Sequence, residues 1–184
     1  MEGEWRVTER EVARKAAPAV RALAERRALL AELYATRRLE LVRLAALLVG
    51  DQETAEDIVQ DAFAGLSSGG LRDPGKAMHY LRRAVVNNAR SALRRRRTAR
   101  LFVPPRTAPA RSAEELAVLS DEHRQVLNAL QQLPRRQREV LVLRFWSELT
   151  VAETADALGI TDGTVKSATS RGLVTLTKRL EGLR

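Results

Sequence analysis

Residues 149–180, LTVAETADALGITDGTVKSATSRGLVTLTKRL, restrict the fold more than any other stretch of the chain. They read as two short helices about a tight turn. Thr150 and Glu153 have the T-x-x-E spacing of a capping box, in which each side chain satisfies a free backbone N–H at a helix start. Val151, Ala152, Ala155 and Leu158 then recur at helical spacing and give that helix an apolar face. Gly159 stands where a helix needs a left-handed residue to stop. Thr161 can cap the next helix, whose inner face would be Val165, Ala168, Gly172 or Leu173, Leu176 and Leu180. Its outer face carries Thr164, Lys166, Ser167, Ser170, Arg171, Thr177 and Lys178, all cationic or hydrogen-bonding and none acidic. A short helix, a glycine turn and a second helix with a polar-basic face is the layout that sets a recognition helix in a major groove. The bland alternative is a helical hairpin with a solvated face.

Charge favours the first reading. Lys and Arg exceed Asp and Glu by nine over 184 residues, and such an excess suits a polyanionic partner, nucleic acid or a membrane surface. No apolar run approaches the length of a bilayer span, and the N-terminus lacks the apolar core of a signal peptide. Cysteine is absent and the two histidines lie far apart, so thiolate or zinc chemistry is not expected. No nucleophile–base pair or ligand cluster points to catalysis, to a cofactor or to a small-molecule substrate. Sparse Gly and Pro with abundant helix formers predict an all-α protein of two small helical domains, each with its own core.

In chain order, residues 1–28 are a charged, alanine-rich leader, in which Pro18 should interrupt any helix. Leu30, Leu33, Tyr34, Leu41, Leu44, Ala45 and Leu48 then predict an amphipathic helix to Val49, ended by Gly50. Asp51 can cap a second helix with Ile58, Val59, Ala62, Phe63 and Leu66 on one side. Its other side carries Glu56, Asp57, Gln60 and Asp61, and five acids fall between Asp51 and Asp61. In so basic a chain this face is either a solvated helix start that suits the helix dipole or a surface for docking a basic protein.

Ser67–Gly70 reads as a loop, and Asp73–Pro74 as a cap followed by proline at the first helical position. The helix from about Gly75 to Arg100 can turn Tyr80, Leu81, Ala84, Val85, Ala89 (or Asn88), Ala92 and Leu93 inward. Arg82, Arg83, Asn87, Arg90, Arg94, Arg95 and Arg97 would line its outside, and no acid occurs from Lys76 to Ala113. Such a face repels itself unless phosphates supply counter-charge; a solvated or membrane-surface helix is the alternative, without a Trp or Phe to seat in an interface. Leu101–Ser112 holds three prolines and reads as an extended tether. Ala113–Leu119 can begin a helix, and Asp121–Leu133 forms one, with Val126, Leu127, Leu130 and Leu133 apolar. After Pro134, the residues Val140, Leu141, Leu143, Phe145 and Trp146 should supply most of a second core.

Three of these stretches resemble, in order, the parts of one family. LPRRQREVLVLRFWSELTVAETADALGITDGTVKSATSRGLVTL resembles region 4 of bacterial RNA polymerase sigma factors. LVRLAALLVGDQETAEDIVQDAF resembles region 2.1–2.2 of the small extracytoplasmic-function (ECF) type, and YLRRAVVNNARSALRRRR its region 2.3–2.4, in the wording of an actinobacterial subgroup. Tyr80 stands where many members carry Trp, and Ser91 where many carry Asp. The resemblance implies an N-terminal extension (1–28), region 2 (29–100), a linker (101–114) and region 4 (115–184).

It further implies a specificity subunit, not an enzyme, acting in the cytoplasm. Its partners would be core RNA polymerase (β′ clamp and β flap), promoter DNA and, as a candidate, an anti-sigma factor. Glu56, Asp57, Gln60 and Asp61 would dock on the clamp. Tyr80, Arg83, Asn87, Asn88, Arg90, Arg94 and Arg95 would meet the −10 element, with the 67–79 loop capturing a flipped base. Thr164, Lys166, Ser167, Ser170, Arg171 and Lys178 would read the −35 element. Opening duplex costs about 1.4 kcal/mol per step, while His79 and Tyr80 are the only aromatics between Phe63 and Phe102. Weak melting capacity of this kind predicts stringent promoter choice. A LuxR-like helix-turn-helix regulator and a sequence-indifferent basic nucleic-acid-binding protein remain the alternatives.

Overall fold

The first helix, α1, runs without interruption from Glu9 to Val49. It is the spine of the computed structural model, which describes residues 9–69, 73–102 and 121–182. At 1.5 Å per residue a 41-residue helix is roughly 60 Å long. The expected interruption at Pro18 does not occur, for Pro18 lies inside α1. Its neighbours Ala16, Ala17 and Val20 are exposed, so the proline ring lies on a solvent-facing stretch where no packed core depends on the missing N–H. Alanine-rich neighbours then carry the helix through.

Two further helices complete the N-terminal group: α2 (Gln52–Gly69) and α3 (Ala77–Phe102), the latter preceded by a 3₁₀ turn at Pro74–Lys76. Asp73 caps that turn through its Oδ1, 2.9 Å from the Gly75 N–H. The expected loop at Ser67–Gly70 is helical as far as Gly69. A tertiary contact accounts for this: Arg26 of α1 donates to the Leu66 carbonyl at 2.8 Å and to the Ser67 carbonyl, satisfying acceptors that a helix end leaves free. The C-terminal group holds α4 (Asp121–Gln131), α5 (Arg135–Leu141) with a π-helical continuation at Val142–Trp146, α6 (Val151–Leu158) and α7 (Asp162–Glu181). No strand occurs among the described residues. The expected helix start at Ala113–Leu119 and most of the proline-containing tether lie outside them, although Leu101 and Phe102 still belong to α3.

The junction of α1 and α2 is held by one buried acid. Gly50 turns the chain with φ +79. Asp51 accepts the Thr54 N–H at 2.9 Å and also a 2.9 Å bond from Arg96 Nη2 of α3. The same Nη2 reaches Thr54 Oγ1 at 2.6 Å. Burial alone would raise the Asp51 carboxyl, but the bonds from the Thr54 hydroxyl and N–H, with the Arg96 charge, outweigh it and hold the pKa below its usual value. A carboxyl depressed in the folded state stabilises the fold above its unfolded pKa of about 3.9, and that contribution is lost as pH falls through the folded value. Asp51→Ala should therefore lose a helix cap and a charged hydrogen bond, about 2–3 kcal/mol together. Urea midpoints measured at pH 7 and again below the ordinary Asp range should show the gap from wild type closing in acid.

The two helical groups share one continuous core, against the expectation of two separate ones. It runs from Leu41, Leu44 and Leu48 of α1 through Ile58, Leu81 and Val85 to Val140, Leu143, Leu158 and Val165. Phe145 and Trp146 do not belong to it, being 58% and 48% exposed. The cause is the π-turn: the Ser147 N–H bonds to the Val142 carbonyl five residues back at 3.1 Å, which shifts the helical register and turns both rings outward. Val142, passed over in the sequence pattern, is buried at 2% exposure instead. Val126 of α4 is also exposed, and Ala129 of that helix and Leu133 just beyond its end are the buried positions.

Candidate nucleic-acid and polymerase interface

The C-terminal helix pair is built by its local caps. Glu153 N–H donates to Thr150 Oγ1 at 3.2 Å, and the Thr150 N–H donates to Glu153 Oε2 at 2.8 Å. Bonds from the Thr150 hydroxyl and N–H hold the Glu153 carboxyl below its usual pKa. Gly159 ends α6 with φ 63, and Thr161 Oγ1 accepts the Thr164 N–H at 3.3 Å to begin α7. Val165, Ala168 and Gly172 form the buried side of α7, while Leu173 is 42% exposed, so the choice between Gly172 and Leu173 falls to the glycine. A Cβ at Gly172 would stand 3.1 Å from Leu141 Cδ1, so a larger residue there would push the Leu141 side chain aside where α7 packs on α5. In α6, Ala155 and Leu158 are buried as expected, but Ala152 is exposed and Thr154 and Ala157 take its place.

On the opposite side of α7, Lys166, Ser167, Ser170, Arg171 and Lys178 are exposed and Thr164 half-buried. Arg171 leans on Ser167, Nη2 to Oγ 3.4 Å. Their hydroxyls and cations thus stand along one accessible side of a helix that its caps and glycine hold rigidly.

The basic helix α3 divides the residues expected at the −10 element. Tyr80, Arg83, Asn87, Arg94 and Arg95 are exposed; Tyr80, expected also to face inward, is 41% exposed and meets the His79 ring edge-on at 5.9 Å. Asn88 instead turns towards α2, its Nδ2 donating to the Ile58 carbonyl at 3.3 Å. Arg90 turns towards α5: its Nε and Nη2 bond to the two Glu139 oxygens at 2.8 and 2.9 Å. Hydrogen bonding to Glu139 raises the Arg90 pKa, burial opposing it. Two arginines of the same helix are structural as well. Arg96 ties α3 to Asp51, and Arg82 pairs with Glu40 of α1 at 2.9 Å.

The acidic helix α2 keeps Glu56, Asp57, Gln60 and Asp61 exposed together. Asp51 is withdrawn from this face by its internal role. Glu56 is shared with Arg38 at 3.4 Å, whereas Asp57 and Asp61 have no ion-pair partner among the described residues. Beside Gln60 a shallow cleft of about 530 Å³ opens between α1 and α2, lined by Arg27, Leu30, Tyr34 and Phe63 among others. Tyr34 meets Phe63 edge-on at 5.1 Å. The sequence reading missed this cleft because it closed the α1 pattern at Leu30; the same spacing continues backwards through Arg27. Among the described residues, no three metal-ligating side chains converge, and no helix is long and apolar enough to cross a membrane.

Comparison with known proteins accounts for two stretches of the chain. Residues 33–99 match the family model described as sigma-70 region 2, and residues 123–176 the one described as sigma-70, region 4. The RNA polymerase sigma-E factor of Streptomyces antibioticus is 34% identical over 152 residues, covering 82% of this chain and 83% of that protein. The ECF RNA polymerase sigma factor SigM of Mycobacterium tuberculosis is 31% identical over 157 residues, covering 81% and 76%. Among solved structures, the sigma factor RpoE of Bartonella quintana in complex with the anti-sigma factor NepR aligns with a TM-score of 0.63 and 26% identity, covering 83% of this chain and 99% of that one. CnrH in complex with the cytosolic domain of CnrY gives 0.64 and 25%, covering 89% and 95%. Two region matches in the family's order, on a helical fold that its solved members share, place the chain: it belongs to the sigma-70 family of bacterial RNA polymerase sigma factors, in the extracytoplasmic-function (ECF) group.

Proposed function

We infer that this chain is an alternative sigma factor: it binds core RNA polymerase and directs transcription initiation from promoters with −10 and −35 elements. The observation that carries this is the pairing of a region 2 match with a region 4 match on one chain. A LuxR-like regulator would need only the second. Residues 29–100 would act as the polymerase- and −10-binding unit, 115–184 as the −35-binding unit, 101–114 as the linker and 1–28 as an extension. Asp57 and Asp61, with Glu56 and Gln60, dock on the basic clamp of the β′ subunit, and region 4 meets the β flap. Arg83, Asn87, Arg94 and Arg95 follow the −10 phosphates beside Tyr80, with Arg90 joining them once released from Glu139. Asn88, bonded to Ile58, acts by fixing α3 on α2. Thr164, Lys166, Ser167, Ser170, Arg171 and Lys178 face the −35 element. The chain works in the cytoplasm without catalysis of its own. An anti-sigma partner is proposed because the Bartonella protein of the same fold was solved bound to one.

Run-off transcription with purified core polymerase tests the reading. Discrete transcripts are expected from a subset of genomic fragments only when this chain is added. About a dozen linker residues span at most ~40 Å, roughly one turn of duplex at ~3.4 Å per base pair. Activity should peak at one −10/−35 spacing, and that peak should stay put when Gly-Ser is inserted in the linker, because polymerase holds both units. A response indifferent to spacing would overturn the two-element reading.

A further inference from the structure

The first part of α1 is a helical arm that precedes the matched domains: α1 begins at Glu9, whereas the region 2 match begins at residue 33. Its side chains are ordered along one line. Ala16, Val20, Leu23, Arg27, Leu30 and Tyr34 follow one another at alternating steps of four and three, the spacing that turns one face of a helix towards another helix. Leu30 is half-buried and the others are exposed, so among the described residues no helix covers the line. Ala17, Ala24 and Ala31 flank it at every seventh position, a border small enough for a second helix to approach closely. Pro18, Glu25 and Glu32 recur on the opposite side, where Glu25 pairs with Arg21 at 2.9 Å. Towards Tyr34 the line runs into the cleft between α1 and α2, whose other wall includes Phe63 and Ala64. Apolar groups left in a continuous exposed row mark a surface that another protein surface covers.

We propose that a second copy of this chain covers the line, the two arms lying antiparallel and crossing near Ala24. The line is complementary to itself in that arrangement. A two-fold contact pairs residue i with j and j with i. One register sets Ala16 against Tyr34, Val20 against Leu30 and Leu23 against Arg27 of the other copy, with none of the six left over. The smallest side chain then meets the largest, and each arm brings Ala16 and Val20 to the cleft of the other copy. Arg27 is the one charged group in the line, and a lone polar residue at such a position fixes the register at a cost in affinity. Arg26, beside the same axis, is turned onto the Leu66 and Ser67 carbonyls of its own α2. Cations of both copies thus stand close together, so higher salt should tighten the pairing by screening them. From Ala16 to Tyr34 the arm is only about 27 Å long. Such an interface belongs to the small class, below about 1,200 Å² in all, and the dimer is accordingly a weak one. The pairing is independent of the sigma-factor reading, because most of the arm precedes the region 2 match.

Sedimentation velocity of the full chain tests the pairing. Wild type should show a monomer–dimer equilibrium in the micromolar range that shifts towards dimer as salt is raised. Leu23→Glu should leave only monomer at the same concentrations. Leu39→Glu, an equally exposed change on the opposite side of α1, should leave the equilibrium where it was. Arg27→Leu should tighten the dimer about tenfold, a gain that loss of folding cannot imitate. Because the chain has no native cysteine, a short bis-maleimide reads the register. Ala24→Cys should link to itself, and Ala17→Cys should link to Ala31→Cys when the two variants are mixed. Ala31→Cys alone should not link. Wild type that stays monomeric well above the micromolar range, or a dimer that survives Leu23→Glu, overturns the pairing. Self-linking of Ala31→Cys shows parallel arms and overturns the register. A monomeric wild type whose Leu23→Glu variant no longer binds core polymerase makes the polymerase the occupant of the line, and overturns the second copy.

Discussion

Asp57→Lys combined with Asp61→Lys is expected to abolish association with core RNA polymerase while leaving helical content unchanged. Both carboxylates are exposed on α2 with no ion-pair partner among the described residues, so their loss removes nothing that holds the fold. Reversal replaces two attractions by two repulsions against a basic partner, and like charges opposed across an interface cost several kcal/mol. Asp51 belongs to the same acidic run but not to this surface, because Arg96 and Thr54 already use it. Gel filtration with core enzyme, paired with circular dichroism, reads both halves of the expectation. Normal co-elution of the double variant would show that the face is merely solvated. Failure of the variant to fold is not expected, since exposed substitutions away from caps and pairs shift stability by about 0.5 kcal/mol or less.

Arg171→Ala with Lys166→Ala should come next in size, as a loss of −35-dependent transcription. Each stands exposed on α7, and Arg171 is steadied by Ser167. A bidentate contact from arginine to a base is worth about 1–3 kcal/mol, whereas a phosphate contact lowers binding on all sequences and flattens the salt slope. Footprints at two salt concentrations on cognate and scrambled −35 sites distinguish the two roles. Unchanged output from a cognate promoter would remove both residues from the interface. Neither substitution touches the buried side of α7, which is Val165, Ala168 and Gly172.

Features legible in the sequence are those decided within a few residues of themselves. The capping box at Thr150 and Glu153, the left-handed Gly159, the Thr161 cap and the Asp73–Pro74 restart each join a backbone N–H or φ angle to a side chain at most three positions away. Such motifs act before any tertiary contact exists, so spacing alone exposes them. The apolar rows of α1 and α2 were readable for a similar reason, since one face of a helix repeats at every turn. The exposed side of α7 followed once its buried side was known.

The departures arise where a distant residue competes for the same group. Phe145 and Trp146 look like core by type, but a π-turn closed by the Ser147 N–H rotates both outward. The Ser67–Gly69 segment has a loop's composition, and Arg26, forty residues earlier, makes it helical. Pro18 should have broken α1, yet it lies on an exposed stretch where one missing hydrogen bond is tolerable. The arginines of α3 show the division most clearly. Charge pattern marks the outward row as phosphate-seeking, and nothing local separates Arg83 and Arg94 from Arg90 and Arg82. Which of them reach solvent was decided by Glu139 and Glu40, each placed beside α3 only by the packing of other helices. The kind of partner was therefore determined by the sequence itself, because net charge and local helix signals do not depend on the fold. Which cations remain free to meet that partner was settled by the tertiary structure, because ion pairing depends on distance and not on composition.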